Sequence, residues 1–279
     1  MRIPFTKMHG LGNDFVVFDG VAGKVTFTPG QIRWIAQRRF GIGCDQVLIV
    51  ERTHTDGVDF SFRIFNADGS EVEQCGNGAR CLARYVRDHG YTDKNEIAME
   101  SLAGMIALKV EADGQVTADM GVPEFDPERI PFEAETQQIV YDLDIGGHDV
   151  EVSVLSLGNP HAVQVVEDLS DALVVSQGPA IENHLRFPKR VNAGFMQVVD
   201  SRHIRLRVHE RGVGETLACG SGACAAMIAG RQRGLLGERV QVTLLGGTLE
   251  VSWRGDGEPV FMTGAAVTSY DGIIGLDAL

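Results

Sequence analysis

The second half of this chain repeats the first, and that repeat limits the folds open to it more than any other feature. The block Cys75-Gly76-Asn77-Gly78-Ala79 recurs 144 positions later as Cys219-Gly220-Ser221-Gly222-Ala223. The same spacing pairs Arg63 with Arg207, Glu71 with Glu215 and Gly90 with Gly234. At a spacing of 143, Gly104, Asp113, Gly114 and Gly121 fall on Gly247, Asp256, Gly257 and Gly264, and at 146, Gly12-Asn13 falls on Gly158-Asn159. With 34 glycines among 279 residues, one glycine match means little. The cysteine block is different, because four of its five consecutive positions agree and its flanks keep register. Two homologous halves follow, each with its own core: residues 1-119 with 265-279, and residues 120-264.

Each half reads as mostly strand around one helix. Met105 to Val110 and Val116 to Met120 are short, partly alternating segments around an Asp113-Gly114 turn, and Thr248 to Trp253 and Val260 to Met262 repeat this around Asp256-Gly257. Ala79 to Asp88 and Ala223 to Arg233 have helix-forming composition and stop at Gly90 and Gly234. A further helix is predicted from Thr28-Pro29 to before Gly41, with a weaker counterpart around Pro179 to Leu185. The fold class is therefore α/β (α+β): two pseudo-symmetric domains, each a mostly antiparallel, strand-rich barrel around a central helix, with the active site expected in the cleft between them.

Both repeated cysteines sit where a glycine-rich turn enters a helix. A thiol there meets unpaired backbone N–H groups and the positive end of the helix dipole, which favour thiolate. Bare glycines at 76, 78, 220 and 222 leave the same N–H groups open to a substrate carboxylate. Two such elements facing one ligand offer an acid on one side of a carbon and a base on the other, as inversion by proton transfer requires. Cys44, Cys81 and Cys224 read instead as small buried residues. No CxxC or HExxH spacing is present, so neither a metal nor a thioredoxin-like redox pair is expected.

The remaining features exclude whole classes. A formal charge of −13 opposes nucleic acid. No segment approaches a membrane span, the first ten residues do not read as a secretory signal, and an odd number of thiols suits a reducing compartment. A cytoplasmic protein is expected.

The blocks KMHGLGNDF (Lys7 to Phe15), RIFNADGSEVEQCGNGARC (Arg63 to Cys81), LGNPH (Leu157 to His161), GFMQVV (Gly194 to Val199), RLRVHERGVGETLACGSGACA (Arg205 to Ala225) and MTGAAVTSYDG (Met262 to Gly272) resemble the diaminopimelate epimerase family along nearly the whole chain. That resemblance implies a cofactor-independent isomerase, free of pyridoxal phosphate and metal, that interconverts LL- and meso-diaminopimelate on the route to lysine and peptidoglycan. It implies Cys75 and Cys219 as the reacting thiols, with Cys219 the proton acceptor and Cys75 the donor from LL to meso. His161 and Glu210 match positions that tune the thiols. On the residues alone, they read as a loop histidine and a solvated charge. Asn13, Gln46, Asn66, Gly76, Asn77, Asn159, Asn192, Glu210, Arg211, Gly220 and Ser221 match substrate contacts, a set suited to a doubly zwitterionic ligand. Tyr270 matches a dimer contact, so a homodimer is implied. Two rivals remain at this point: a two-cysteine epimerase of the proline racemase type, and a binding protein that merely holds an amino acid.

Overall fold

A computed structural model describes residues 2–72 and 76–276. In chain order the elements are β1 (Arg2–Gly10), β2 (Asn13–Gly20), α1 (Pro29–Ala36), β3 (Gln46–Glu51), β4 (Phe60–Asn66), β5 (Glu71–Val72), α2 (Gly76–Asp88), β6 (Glu96–Ser101), β7 (Gly104–Val110) and β8 (Val116–Asp119). They continue as β9 (Tyr141–Asp144), β10 (Asp149–Ser156), β11 (Pro160–Val165), α3 (Asp171–Glu182), β12 (Asn192–Asp200), β13 (His203–Glu210), β14 (Gly214–Glu215), α4 (Gly220–Gln232), β15 (Arg239–Leu244), β16 (Gly247–Trp253), β17 (Val260–Gly264) and β18 (Val267–Gly275). The chain divides into two compact units, Met1–Ala118 with Gly264–Leu279, and Asp119–Thr263.

The duplication seen in the letters is also written in the hydrogen bonding. In unit 1, β1 and β2 run antiparallel, β2 and β3 pair in parallel across α1, and β4 joins β3 antiparallel. The strand β4 then pairs with the short β5 and, across α2, in parallel with β6, which continues antiparallel to β7. Unit 2 follows the same pattern step for step: β10 with β11, β11 parallel to β12 across α3, and β12 with β13. From there β13 pairs with β14 and, in parallel across α4, with β15, which continues to β16 and β17. Each unit adds one strand at the start of its repeat: β18 on β1 in unit 1, and β9 on β10 in unit 2.

The two cysteine-led helices lie inside their units. α4 packs on β10, β11, β12, β13, β15 and β16, and every residue from Gly222 to Gly230 is buried. A helix enclosed on all sides cannot carry a polar stripe, which explains its Gly- and Ala-rich sequence. At Gly230 the fit admits no side chain, since a Cβ would stand 2.3 Å from Leu236 Cδ1. α2 packs on β1, β2, β3 and β7 and buries all residues from Asn77 to Val86 except Arg84. Outside these helices each unit has its own apolar layer, with Phe18, Ile32, Ile35 and Ile49 in one and Leu143, Val152, Ile181 and Phe195 in the other.

The helix boundaries differ from the sequence reading in instructive ways. α1 begins where expected, with a Thr28–Gln31 capping box and Pro29 in its first turn, but it ends at Ala36. α2 and α4 begin at Gly76 and Gly220, three residues earlier than composition suggested, because backbone bonding extends through glycines that propensity counts against. The helix expected around Pro179 to Leu185 instead spans Asp171–Glu182, with Pro179 inside it. The helix starts after Ser170, well before the range its composition suggested.

Candidate active site

In unit 1 the expected substrate residues collect where β2 and β3 begin, β4 ends and α2 begins. The turn before β2 is Leu11-Gly12, with φ of 57° and 84°, the double left-handed conformation of a tight two-residue hairpin. Such a φ costs a leucine energy and costs glycine almost none, so Leu11 holds strained backbone beside Asn13. The Asn13 amide is fixed from two sides: its Nδ2 donates to Asp45 at 3.0 Å and its Oδ1 accepts from Asn77 at 3.2 Å. Asn77 Oδ1 in turn accepts from the fully buried Arg80 guanidinium at 3.0 Å. Gln46 donates to Asn66 Oδ1 at 3.0 Å across neighbouring strands. Arg38 braces this edge by gripping Asp14 with both terminal nitrogens, at 2.9 and 2.7 Å, and Asp45 at 2.7 Å. Gly76 opens α2. Cys75 lies outside the described residues.

Unit 2 builds the corresponding edge with different chemistry. Gly158 repeats the left-handed turn at φ 86°, and Asn159 donates to Ser221 Oγ at 3.2 Å, as Asn77 and Asn13 pair in unit 1. His161 is buried in β11, so it is not the loop residue that its immediate sequence suggested. It sits 3.1 Å from Asn159 Oδ1, which can only accept, so Nε2 carries the proton. Burial, helped by Arg211, drops its pKa to about 3, leaving a neutral ring at physiological pH. Asn192 donates to the Pro160 carbonyl at 2.9 Å and accepts from the Arg211 N–H at 2.9 Å. Arg211 is exposed, with its guanidinium 3.3 Å from the Lys189 carbonyl.

Cys219 is the N-cap of α4 and is buried, with Gly220 also buried behind it. Its sulfur stands 3.7 Å from Ser221 Oγ, and the charge of the Glu210 carboxylate, which accepts a hydrogen bond from Thr216, acts on it. The helix start was expected to favour thiolate, yet the thiol is pushed well above its ordinary value. Burial is the main cause and the Glu210 charge the second, and both outweigh the Gly222 N–H and Ser221 hydroxyl that pull the other way. Burial raises Glu210 as well. Glu210 is therefore not a solvated charge but the acidic partner of the thiol.

Spacing alone concealed three contributors: Thr216 on Glu210, Arg80 on Asn77, and the Arg38–Asp45 brace on Asn13. Arg80 carried no signal of its own, because it lies on the same helical stripe as Arg84, Arg87 and Asp88, which are not buried. Tyr270 lies on β18, exposed by 49% and edge-on to Phe5 at 6.0 Å. Among the described residues, no group of three or more His, Cys, Asp or Glu is arranged to hold a metal. No helix of the described residues is long and apolar enough to cross a membrane.

Solved structures sharing this architecture include a hydroxyproline epimerase from Agrobacterium vitis, at TM-score 0.69 and 15% identity, covering 99% of this chain and 93% of that one. Another is a phenazine biosynthesis protein of the PhzF family from Bacillus anthracis, at TM-score 0.70 and 16% identity, covering 99% of this chain and all of that one. At such identities the likeness is one of fold. What the chain shares with them is a duplicated, strand-rich α/β fold. Among sequence relatives, an enzyme named diaminopimelate epimerase from Nitrosospira multiformis is 58% identical over 276 residues, 99% of each chain. One of the same name from an Azoarcus species is 59% identical over 272 residues, 98% of each. The family described as diaminopimelate epimerase matches residues 5–125 and 153–269, and this chain belongs to it.

Proposed function

We propose that the protein interconverts LL- and meso-diaminopimelate, without an organic cofactor, by proton transfer between two thiols and one α-carbon, as a step toward lysine and peptidoglycan precursors. The observation that carries the reading is Cys219: a thiol at the start of an enclosed helix, under the charge of Glu210 and set among Asn159, His161 and Ser221. Cys75 heads the repeated block and is its counterpart.

The chemistry follows from what these groups can do. From LL to meso, the Cys219 thiolate takes the α-proton, and the electron pair left on carbon delocalises into the adjacent carboxylate. Helix N-termini at Gly76-Asn77 and Gly220-Ser221 offer N–H donors to that growing charge. Cys75 as a thiol delivers its proton to the opposite face, so the centre inverts and the two sulfurs exchange protonation states. Before substrate arrives, Cys219 holds its proton against the Glu210 anion. The substrate ammonium placed on Glu210 removes that opposition and frees the thiol to ionise when the base is needed. Arg211 takes a carboxylate at the distal end, and the amides of Asn13, Gln46, Asn66, Asn77, Asn159 and Asn192 complete recognition. A shorter amino acid leaves several of them unpaired, which disfavours the proline racemase reading. A cytoplasmic homodimer, with Tyr270 on its contact surface, belongs to the same proposal.

The test is incubation with LL-diaminopimelate in heavy water, with a chelator present and no pyridoxal phosphate added. Meso product with deuterium at one centre is expected, and Cys75→Ala and Cys219→Ala each stop inversion. Wild-type rates in either variant refute the paired-thiol reaction, and absence of label in the wild type leaves only a binding protein.

A further inference from the structure

The turn that carries Glu210 and Arg211 is held by a buried carboxylate on a different element. Residues 211 to 213 are exposed, and Gly212 and Gly214 adopt φ of 75° and 91°. A glycine-rich exposed turn has much conformational freedom to lose, so its position depends on what grips it. One grip is Asn192, which accepts from Arg211 N–H. The other is Glu182, the last residue of α3 and only 6% exposed. Its Oε1 accepts from Gly212 N–H at 2.7 Å and from Arg190 Nη1 at 3.3 Å, while Oε2 lies 3.0 Å from His209 Nε2. Its backbone carbonyl accepts from Val191 N–H at 3.2 Å, one residue before Asn192. Burial pushes its carboxyl up, but Gly212 and His209 outweigh that and keep it ionised. α3 reaches this position because Gly178 has no side chain: a Cβ there would stand 2.8 Å from His209 Cβ.

Unit 1 holds its matching turn differently. There Arg33 of α1 donates to the Asp68 carbonyl at 3.1 Å, and Gly69 lies against Pro29. Both helices brace the turn after the central hairpin, and among the described residues it is unit 2 that commits a buried charge to the task.

We propose that Glu182 is a positioning residue for the proposed epimerase reaction: by fixing the Gly212 N–H, His209 and the approach to Asn192, it sets Arg211 for the distal carboxylate of the substrate. This rests on the diaminopimelate reading. The experiment is Glu182→Gln, which keeps the shape but turns one acceptor into a donor facing Gly212 or His209. The Gly212 amide should exchange with solvent at least about tenfold faster, as expected when a charge-assisted bond is lost, while amides in the middle of β12 and β13 keep their protection. KM for diaminopimelate should rise at least about tenfold with kcat within about threefold, the signature of lost positioning for binding. An unchanged KM, or a kcat loss at constant KM, overturns the proposal. Should the variant fail to fold, the wild type decides: a Gly212 amide exchanging as fast as a free loop overturns it too. The exchange readout needs no turnover, so an inactive wild type would count against the reaction and not against the clamp.

Discussion

The duplicated Arg–Glu pair supplies an internal control for what burial does to an ion pair. Arg207 grips Glu215 at 2.5 and 2.7 Å, and its partner in the repeat, Arg63, grips Glu71 at 2.7 and 2.9 Å. Geometry is shared and environment is not: the side chains are 10% and 25% exposed in unit 2 against 36% and 29% in unit 1. Arg207 also donates to the Leu169 carbonyl at 3.0 Å. Removing one partner from a buried pair costs ~3–5 kcal/mol, and partial exposure of Glu215 brings that to about 2–3. The exposed pair should be worth at most about 1 kcal/mol. Arg207→Met and Arg63→Met should therefore differ by about 2 kcal/mol, or about 1 M in urea midpoint at a typical slope of about 2 kcal/mol/M. Each unit carries one of the two tryptophans, Trp34 in unit 1 and Trp253 in unit 2, so fluorescence in single-Trp backgrounds follows each unit separately. Adding Glu215→Gln to Arg207→Met should recover part of the loss by removing the stranded charge. Equal midpoint shifts for the two arginine variants would refute the argument from burial.

Other expectations concern the thiol and its neighbours. Glu210→Gln removes the anion that opposes ionisation of Cys219, so alkylation of Cys219 at fixed pH should speed up while epimerisation falls; slower alkylation would contradict the assigned sign. His161 has a folded pKa of about 3, below its unfolded value, so unit 2 keeps its full stability above the unfolded pKa and loses it as pH falls toward 3. The slope should be about 1.4 kcal/mol per pH unit, and His161→Gln should flatten it by one proton in urea titrations from pH 7 to 5. At Gly222 a Cβ would stand 2.9 Å from Val208 Cγ2 and 3.2 Å from Cys219 Sγ. Gly222→Ala should therefore displace the sulfur and lower kcat about tenfold or more, with unchanged KM and a fold preserved by the gain in helix propensity; unaltered turnover would show that the sulfur tolerates the shift.

What the sequence revealed depended on whether the cause was local. The hairpins around Asp113-Gly114 and Asp256-Gly257 were legible because two residues determine a tight turn, and β7, β8, β16 and β17 flank them as expected. The cysteine block was legible because it occurs twice. The start of α3 was not, since Pro179 carries a first-turn signal in the middle of a helix packed on β12 and β13. Electrostatics were the least accessible. The setting of Cys219 as a helix N-cap argued for thiolate, but enclosure of the helix and the approach of Glu210 from β13 are tertiary facts, and they reverse the sign. His161 shows the same limit: its repeat partner is Phe15, also fully buried, and only strand pairing reveals that a histidine occupies a core position.

The strand β18 gives this architecture an order in time. It pairs along β1 from Arg2 to His9, although the two are separated by nearly the whole chain. On a ribosome emitting residues from the N-terminus, unit 2 can close its own ladder before Val267–Gly275 emerges, while the first-made unit waits with the long edge of β1 unsatisfied. The part of the polypeptide synthesised earliest is thus the last to be sealed, and a nascent chain stalled just short of β18 would expose that edge to other strands.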